Sequence, residues 1–593
     1  MTAKWIALLL MAGAPMPALA AAPGGERRTA ASVPVQLDAA QREDYARVFA
    51  AIREARWQDA QIGLDAMRPG PLHAIARAEL FTARGSPRAE LQPLVDLLTT
   101  TPELPEAAAL VRLARARGAV ELPPLPVART LLWQDGAPVR VRTRATTGDA
   151  VATTLAAAMQ PYVKADDGAG AEALLGATAG LTPEATTEWQ ARTAWMYFLS
   201  GRDADARRLA AVAAAGSGDW TNQARWTGAL TAWRQEDFPG ASAAFEAVAA
   251  RAGDIDLRAA ALYWAARADT AGGRPDRVEA RLRTAAQWPE SFYGQLARQA
   301  LGMQGGARPV ATLVPADWTA LDRRPNVRVA AALVEVGEGD LADKVLRQQA
   351  RIGEPGEFAS LIRLAEALDL PATAVWLAHN CPQGVTAAVD ARYPTPSWRP
   401  DSGWRVDRAL VLAHTLQESG FRSRVVSPAG AYGLMQIMPA AATDFARERG
   451  LAPIDRSALT RPAVNMDVGQ RQLERLRDMT ATGGLLPKVI AAYNAGATPV
   501  GQWNLLVRDG GDPLLYIESI PYWETRGYVV TVLRNYWMYE AQTGRAASTS
   551  RAALAQGRGP RFPGLPGPGA VRVAAPPGGV ASAAVAGRGG GTD

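Results

Sequence analysis

From about residue 37 to 302 the chain is alanine-rich, and one spacing there constrains the fold more than any other feature. Arg192, Arg225 and Arg258 open similar units at a 33-residue step, in Ala191-Arg192 through Trp195, Ala224-Arg225-Trp226 and Leu257-Arg258 through Trp264. Short Gly, Pro or Asp breaks separate successive amphipathic stretches, as helices joined by tight turns require. A period of this length suits helical hairpins. Each hairpin buries its apolar side only against its neighbours, so the stack curves into a superhelix. The expected class is all-α, led by a long α-superhelical solenoid whose closure into a ring the sequence leaves open.

The rest of the chain is bounded by length and composition. At 593 residues it predicts roughly four units of about 150 residues. Its 48% hydrophobic content is ample for sizeable cores. Lys4, the apolar run 5–14 and Ala18-Leu19-Ala20 read as a secretory signal cleaved after Ala20. Pro15 and Pro17 bound this run, which is too short for a membrane anchor. No other stretch approaches eighteen apolar residues, so the processed chain is expected to be soluble. Cys381 is the single cysteine, far from the cleavage point, which excludes an internal disulfide and a lipid-bearing N-terminal cysteine. With only His73, His379 and His414 besides, no His/Cys metal site is expected, and no cofactor.

The candidate chemistry sits on one acid. Between 404 and 416, Val406, Ala409, Leu410, Val411, Leu412, Ala413 and Leu416 leave little room for a wet helix face. Gly420 stands where a left-handed cap ends a helix, so Glu418 falls in the last turn, near the negative end of the dipole. Burial and dipole both raise a carboxyl pKa. A carboxyl kept protonated near neutral pH can act as a general acid. An exposed glutamate with no role is the competing reading of this helix alone.

Four blocks around that acid carry a resemblance. They are Glu418-Ser419, the stretch 433–436, Ala492-Tyr493-Asn494-Ala495-Gly496, and Glu518-Ser519-Ile520-Pro521 leading to Glu524-Thr525-Arg526-Gly527-Tyr528-Val529. In order and spacing the C-terminal part resembles the soluble lytic transglycosylases, family 1, with a goose-type-lysozyme-like catalytic domain of glycoside hydrolase family 23. The resemblance implies cleavage of the β-1,4 bond between N-acetylmuramic acid and N-acetylglucosamine in peptidoglycan, leaving a 1,6-anhydromuramoyl end. Ordinary glycosidases need two carboxylates. In the chemistry the resemblance implies, the sugar's own C6 hydroxyl would attack, already tethered and oriented, and Glu418 would serve as acid and then as base. Asp444 and Glu448, on the following helix, read as solvated charges rather than a second catalytic carboxylate.

Residue by residue, the resemblance assigns catalysis to Glu418 and Tyr493, and substrate binding to Ser427, Gln436, Met438, Asn494 and Glu524. Ser427 stands nine residues after Glu418, and as a residue type it equally suits the turn before Pro428. The Gln436 amide suits N-acetyl and hydroxyl groups, and the Met438 thioether suits a sugar's apolar face. Tyr493 matches a tyrosine that approaches the reacting sugar, and packing alone would also explain it. For Glu524 a salt bridge with Arg526 or a helix-start charge competes with substrate contact. Asn465 reads as a helix cap. His414, one turn before Glu418, either faces it or is a satisfied core residue. Arg422-Ser423 stands where the family often has Asn-Pro, a departure expected to affect turn geometry.

The domain reading is 1–20 signal, 21–310 solenoid, 311–390 a small helical linker domain, 391–545 the lysozyme-like catalytic domain, and 546–593 a disordered Gly/Pro/Ala-rich tail. Two other functions compete: a hydrolytic muramidase, and an inactive solenoid scaffold that binds wall components. A net charge of +6 suits an anionic cell-wall polymer. It would equally suit nucleic acid, for which the chain has no motif. The expected partners are peptidoglycan glycan strands, with peripheral wall or membrane association and cell-wall synthesis or remodelling proteins as further candidates. The expected state is a periplasmic monomer.

Overall fold

The computed structural model describes residues 33–303, 312–543 and 548–573. The signal segment 1–20 and the last part of the tail, 574–593, lie outside the described residues. Among the described residues, strands are confined to two short antiparallel pairs, Leu131–Trp133 with Asn380–Pro382 and Gly559–Pro560 with Ala570–Val571. The remaining regular structure is helical, as the all-α reading expects.

The repeat is a stack of hairpins. Pro183–Leu199 pairs with Asp203–Ala214, Trp220–Arg234 with Phe238–Arg251, and Ile255–Ala271 with Val278–Ala285. Arg192, Arg225 and Arg258 each lie near the start or middle of the first helix of a pair. The last two repeat one contact: Arg225 Nη2 donates to the Ala214 carbonyl at 2.5 Å, and Arg258 Nη2 to the Ala252 carbonyl at 3.0 Å. Each guanidinium thereby satisfies an orphan carbonyl where the preceding hairpin ends. Asp237 and Asp254 start their helices by accepting the Gly240 and Leu257 amides. Buried alanines (Ala206, Ala210, Ala229, Ala241, Ala259 and others) allow close helix approach, and Trp226 and Trp264 fill the space between layers.

Which segments complete the open ends of this stack is not visible in its period. The first five helices, Ala39–Arg53 through Ala107–Ala116, share one apolar core with helices between Pro315 and His379. Repeats from Ala194 onward share another core with residues 393–562. Between the two, residues 119–148 run as a strap with little regular structure. The strap pairs with the 380–382 strand, stacks Trp133 on His379 at 4.8 Å, and ends near the C-terminal unit through Arg140.

The tail departs from expectation. Disorder was expected from 546, yet Thr549–Ala555 is a helix capped by Ser548, with Ala553 and Leu554 buried. The Trp537 indole donates to Ser550 at 2.8 Å, and Phe562, buried, hands its backbone amide to the Gly484 carbonyl. A few large apolar anchors suffice where the folded unit supplies the rest of the pocket.

Candidate active site

Glu418 sits in the last turn of Arg408–Ser419, and Gly420 closes that helix in the left-handed region at φ 57°. Every residue from Ala409 to Thr415 is buried, so the helix enters the core and delivers Glu418 at its mouth. The carboxyl is partly covered, and Oε1 accepts the Tyr528 hydroxyl at 2.5 Å. Burial pushes Glu418 up to about 7; the Tyr528 hydrogen bond opposes this and nearby Glu524 adds to it. No guanidinium or ammonium pairs with Glu418 among the described residues.

Behind the carboxyl lies a sealed aromatic layer. His414 is fully buried, its Nδ1 2.9 Å from the Tyr528 hydroxyl and its ring 4.6 Å from that of Tyr493. Desolvation pushes this imidazole down to about 3, so it is neutral and adds no charge beside Glu418. The Tyr493 hydroxyl donates to the Met435 carbonyl at 2.8 Å, which joins the Leu486–Ala495 helix to the loop facing Glu418. Burial and the Glu418 charge both raise the Tyr493 phenol well above its ordinary value.

That loop, 425–438, is built on backbone pairing. Tyr432 bridges both Val426 and Ile437 in antiparallel fashion, and the Ser427 hydroxyl accepts the Ala431 amide at 3.0 Å. Gly433 has φ 70°, and a Cβ there would come within 2.5 Å of Asn465 Nδ2 and the Leu459 carbonyl, so only glycine fits. Gln436 takes up φ 49°, unusual for a residue with a side chain, while its amide donates to the Gly433 carbonyl at 2.9 Å. Its amide donor therefore braces the loop. Met438 is 45% exposed at the start of Pro439–Glu448, an apolar side chain left facing outward.

Asn465 proves to be the fastener of this loop rather than a cap. It lies inside Pro462–Asp478, fully buried, accepts the Met435 amide at 2.8 Å, and donates to the Tyr432 and Leu459 carbonyls at 2.8 Å each. Glu524 is exposed in the first turn of Trp523–Gln542, and Asn494 accepts the Thr525 hydroxyl at 2.6 Å beside it. Arg526 does not pair with Glu524. It is buried, donates to the Ile520 carbonyl and lies 4.5 Å over the Trp195 ring. Asp444 pairs with Arg447 and Arg475, and Glu448 with Arg471, the solvated arrangement expected of them. Among the described residues no three His, Cys, Asp or Glu side chains gather as a metal site would require.

Sequence reasoning missed Tyr528, although the signal was present. It stands one helical turn after Glu524, so a groove contact by one brings the other to the same face.

Residues 399–513 match the transglycosylase SLT domain family. Over 138 residues, 23% of this chain and 21% of the relative, the sequence is 36% identical to the soluble lytic murein transglycosylase of Escherichia coli strain K12. Over 121 residues, 19% of this chain and 33% of the relative, it is 36% identical to the membrane-bound lytic murein transglycosylase C of Histophilus somni. The first of these alignments thus spans about a fifth of the relative's own length. The fold likeness is far longer. The 70 kDa soluble lytic transglycosylase of Escherichia coli superposes with a TM-score of 0.51 at 19% identity, over 86% of this chain and 98% of that one. An inactive mutant of lytic transglycosylase Slt from Pseudomonas aeruginosa gives 0.50 at 18% identity, over 85% and 87%. The chain has the soluble lytic transglycosylase fold. Its SLT-type unit contains Glu418, the 425–438 loop and Tyr493, while Glu524 and Tyr528 come from the helix just beyond residue 513.

Proposed function

We propose that this protein is a lytic transglycosylase acting on peptidoglycan, cutting the β-1,4 bond between N-acetylmuramic acid and N-acetylglucosamine. The observation that carries the reading is Glu418, a carboxyl raised to about 7 by burial and hydrogen-bonded by a phenol. Protonated, it gives its hydrogen to the glycosidic oxygen as the bond from muramoyl C1 to that oxygen breaks. The C6 hydroxyl of the same muramoyl residue then bonds to C1, and Glu418 takes back the proton that hydroxyl releases. No water is consumed, and the carboxyl ends in the state in which it began. In this reading the substrate's own N-acetyl carbonyl assists at C1.

In this reading Tyr493 supports the loop at the reacting sugar, and Ser427, Gln436, Met438, Asn494 and Glu524 line the glycan path. Residues 391–545 form the catalytic unit, 311–390 the linker, and 21–310 the superhelical part. The setting is the periplasm, reached through the 1–20 signal. The described residues contain no helix long and apolar enough to cross a membrane.

The deciding experiment incubates purified peptidoglycan with the protein and analyses the products by mass spectrometry. Anhydromuramoyl ends support the reading. Reducing ends alone would make the protein a muramidase, and intact glycan would make it a scaffold.

A further inference from the structure

Tyr528 touches both Glu418 and His414, and the burial of His414 limits how its hydroxyl can be oriented. A phenol has one hydrogen to donate. At 2.5 Å from Glu418 Oε1 and 2.9 Å from His414 Nδ1, it can donate to one of the two while its oxygen accepts from the other. The neutral imidazole likewise carries its hydrogen on only one nitrogen. Its Nε2 is sealed from solvent and has no hydrogen-bond partner. A hydrogen placed there would be a buried, unsatisfied donor, costlier than a bare lone pair. The imidazole hydrogen therefore belongs on Nδ1, donated to Tyr528, and the phenol hydrogen points at Glu418.

We propose that His414 is a positioning residue which, through Tyr528, fixes a donated hydrogen on Oε1 of Glu418 and so confines the catalytic proton to Oε2. This rests on the transglycosylase reading of Glu418. Oε2 makes no hydrogen bond among the described residues and is not among the polar atoms sealed from solvent. The proton is thus held on the oxygen that remains accessible, in both the acid and the base step. The groups facing Glu418 are Tyr528 and Glu524 from the Trp523–Gln542 helix and Tyr493 from Leu486–Ala495, while His414, one turn back on its own helix, reaches it through Tyr528. The nearby guanidinium of Arg422 donates instead to the Ser419 carbonyl.

With only three histidines in the chain, nitrogen-15 labelling of histidine gives a readable spectrum, assigned with His414→Asn. The expected result on the unmodified enzyme is a neutral ring protonated at Nδ1 throughout the working pH range. Protonation at Nε2 overturns the proposal without any variant needing to fold. In kinetics, His414→Leu lowers kcat roughly tenfold with little change in KM, the size of one lost neutral hydrogen bond. Without the hydrogen it accepts from the imidazole, the Tyr528 hydroxyl is a weaker donor to the ionised carboxyl, so the Glu418 pKa rises and the alkaline limb of the rate profile moves to higher pH. His414→Asn, whose amide can occupy the Nδ1 position, recovers most of that loss, whereas His414→Gln does not. His414→Leu combined with Tyr528→Phe is no slower than Tyr528→Phe alone. An unmoved alkaline limb, equal losses in the Asn and Leu variants, or additive losses in the double variant would each leave His414 a packing residue. The spectra need no substrate, so they judge this pair even if the product assay rejects transglycosylation.

Discussion

Glu418 and Glu518 belong to the same C-terminal unit, the first partly covered and the second wholly buried, and their surroundings are opposite. Glu518 is wholly buried and gripped by the Arg140 guanidinium on both oxygens, Oε2 at 2.6 Å and Oε1 at 3.1 Å, and Oε1 also accepts the Tyr293 hydroxyl at 2.6 Å. Arg140 also reaches Asp256 and lies 4.7 Å over the Trp226 ring. Burial alone would lower that guanidinium, but Glu518 and Asp256 together hold it above its ordinary range. One charged knot thereby ties the strap, the hairpin stack and the C-terminal unit. Glu418 has a single phenol and no cation, so burial lifts it to about 7 instead. A compensated carboxylate fastens. An uncompensated one is left able to gain and lose a proton.

The same substitution at both places should give opposite outcomes. Glu418→Gln is expected to cut turnover by about three orders of magnitude, within the range for losing a general acid, while glycan binding and folding persist. Glu518→Gln leaves Arg140 buried against Asp256 alone and should cost about 3 to 5 kcal/mol of stability, read from urea unfolding. If the two variants instead lost activity and stability in parallel, the contrast between them would not stand.

Glu418 also carries a pH dependence of stability. Glu418 has a folded value of about 7 against an ordinary 4.5, so the folded state binds the extra proton between those limits. Stability is then greatest below 4.5 and falls as pH rises through 7, by at most about 3 kcal/mol. Glu418→Gln lacks this dependence. Its stability relative to the parent should rise across that window and level above it, measured by urea unfolding at a series of pH values. A flat difference would mean that the carboxyl is ionised throughout.

What the chain disclosed of itself followed the range of the interaction. The 33-residue step at Arg192, Arg225 and Arg258 was legible because each hairpin contacts its sequence neighbours. The core shared by the first five helices and residues 313–391 was not, since no period records which distant segment covers an open end. The folded part of the tail was hidden for a similar reason: Leu554 and Phe562 are sparse in a Gly- and Pro-rich stretch, and their pocket belongs to other segments. At the site, the apolar run before Glu418 announced its burial. Asn465 looked like a cap because it precedes the helical pattern of Met466, Val468, Leu473 and Leu476, whereas its hydrogen bonds run to a loop some thirty residues earlier.

Asn465 gives a test of intermediate size, because a neutral buried hub lies between the charged knot and the lone acid. Asn465→Ala removes three hydrogen bonds and leaves the Met435 amide and the Tyr432 and Leu459 carbonyls without that partner. The expected cost is about 2 to 3 kcal/mol. Since Met435 also receives Tyr493, the loop facing Glu418 should loosen, and hydrogen exchange at 432–438 should rise with KM.

The smallest effect is expected where an ion pair looks as good as that of Arg140 but stays wet. Arg424 reaches Asp340 at 2.6 Å, the same distance as Arg140 to Glu518, and likewise joins the C-terminal unit to a distant segment. Its side chains are 68% and 61% exposed, against 13% and 1% for the buried pair. Water screens the exposed contact, and its Coulomb gain is offset by ordering two long side chains. Arg424→Ala should therefore change stability by under about 0.5 kcal/mol and leave turnover as it was. A loss approaching that of Glu518→Gln would mean that linkage between distant segments, rather than withdrawal from water, gives a charge pair its strength in this chain.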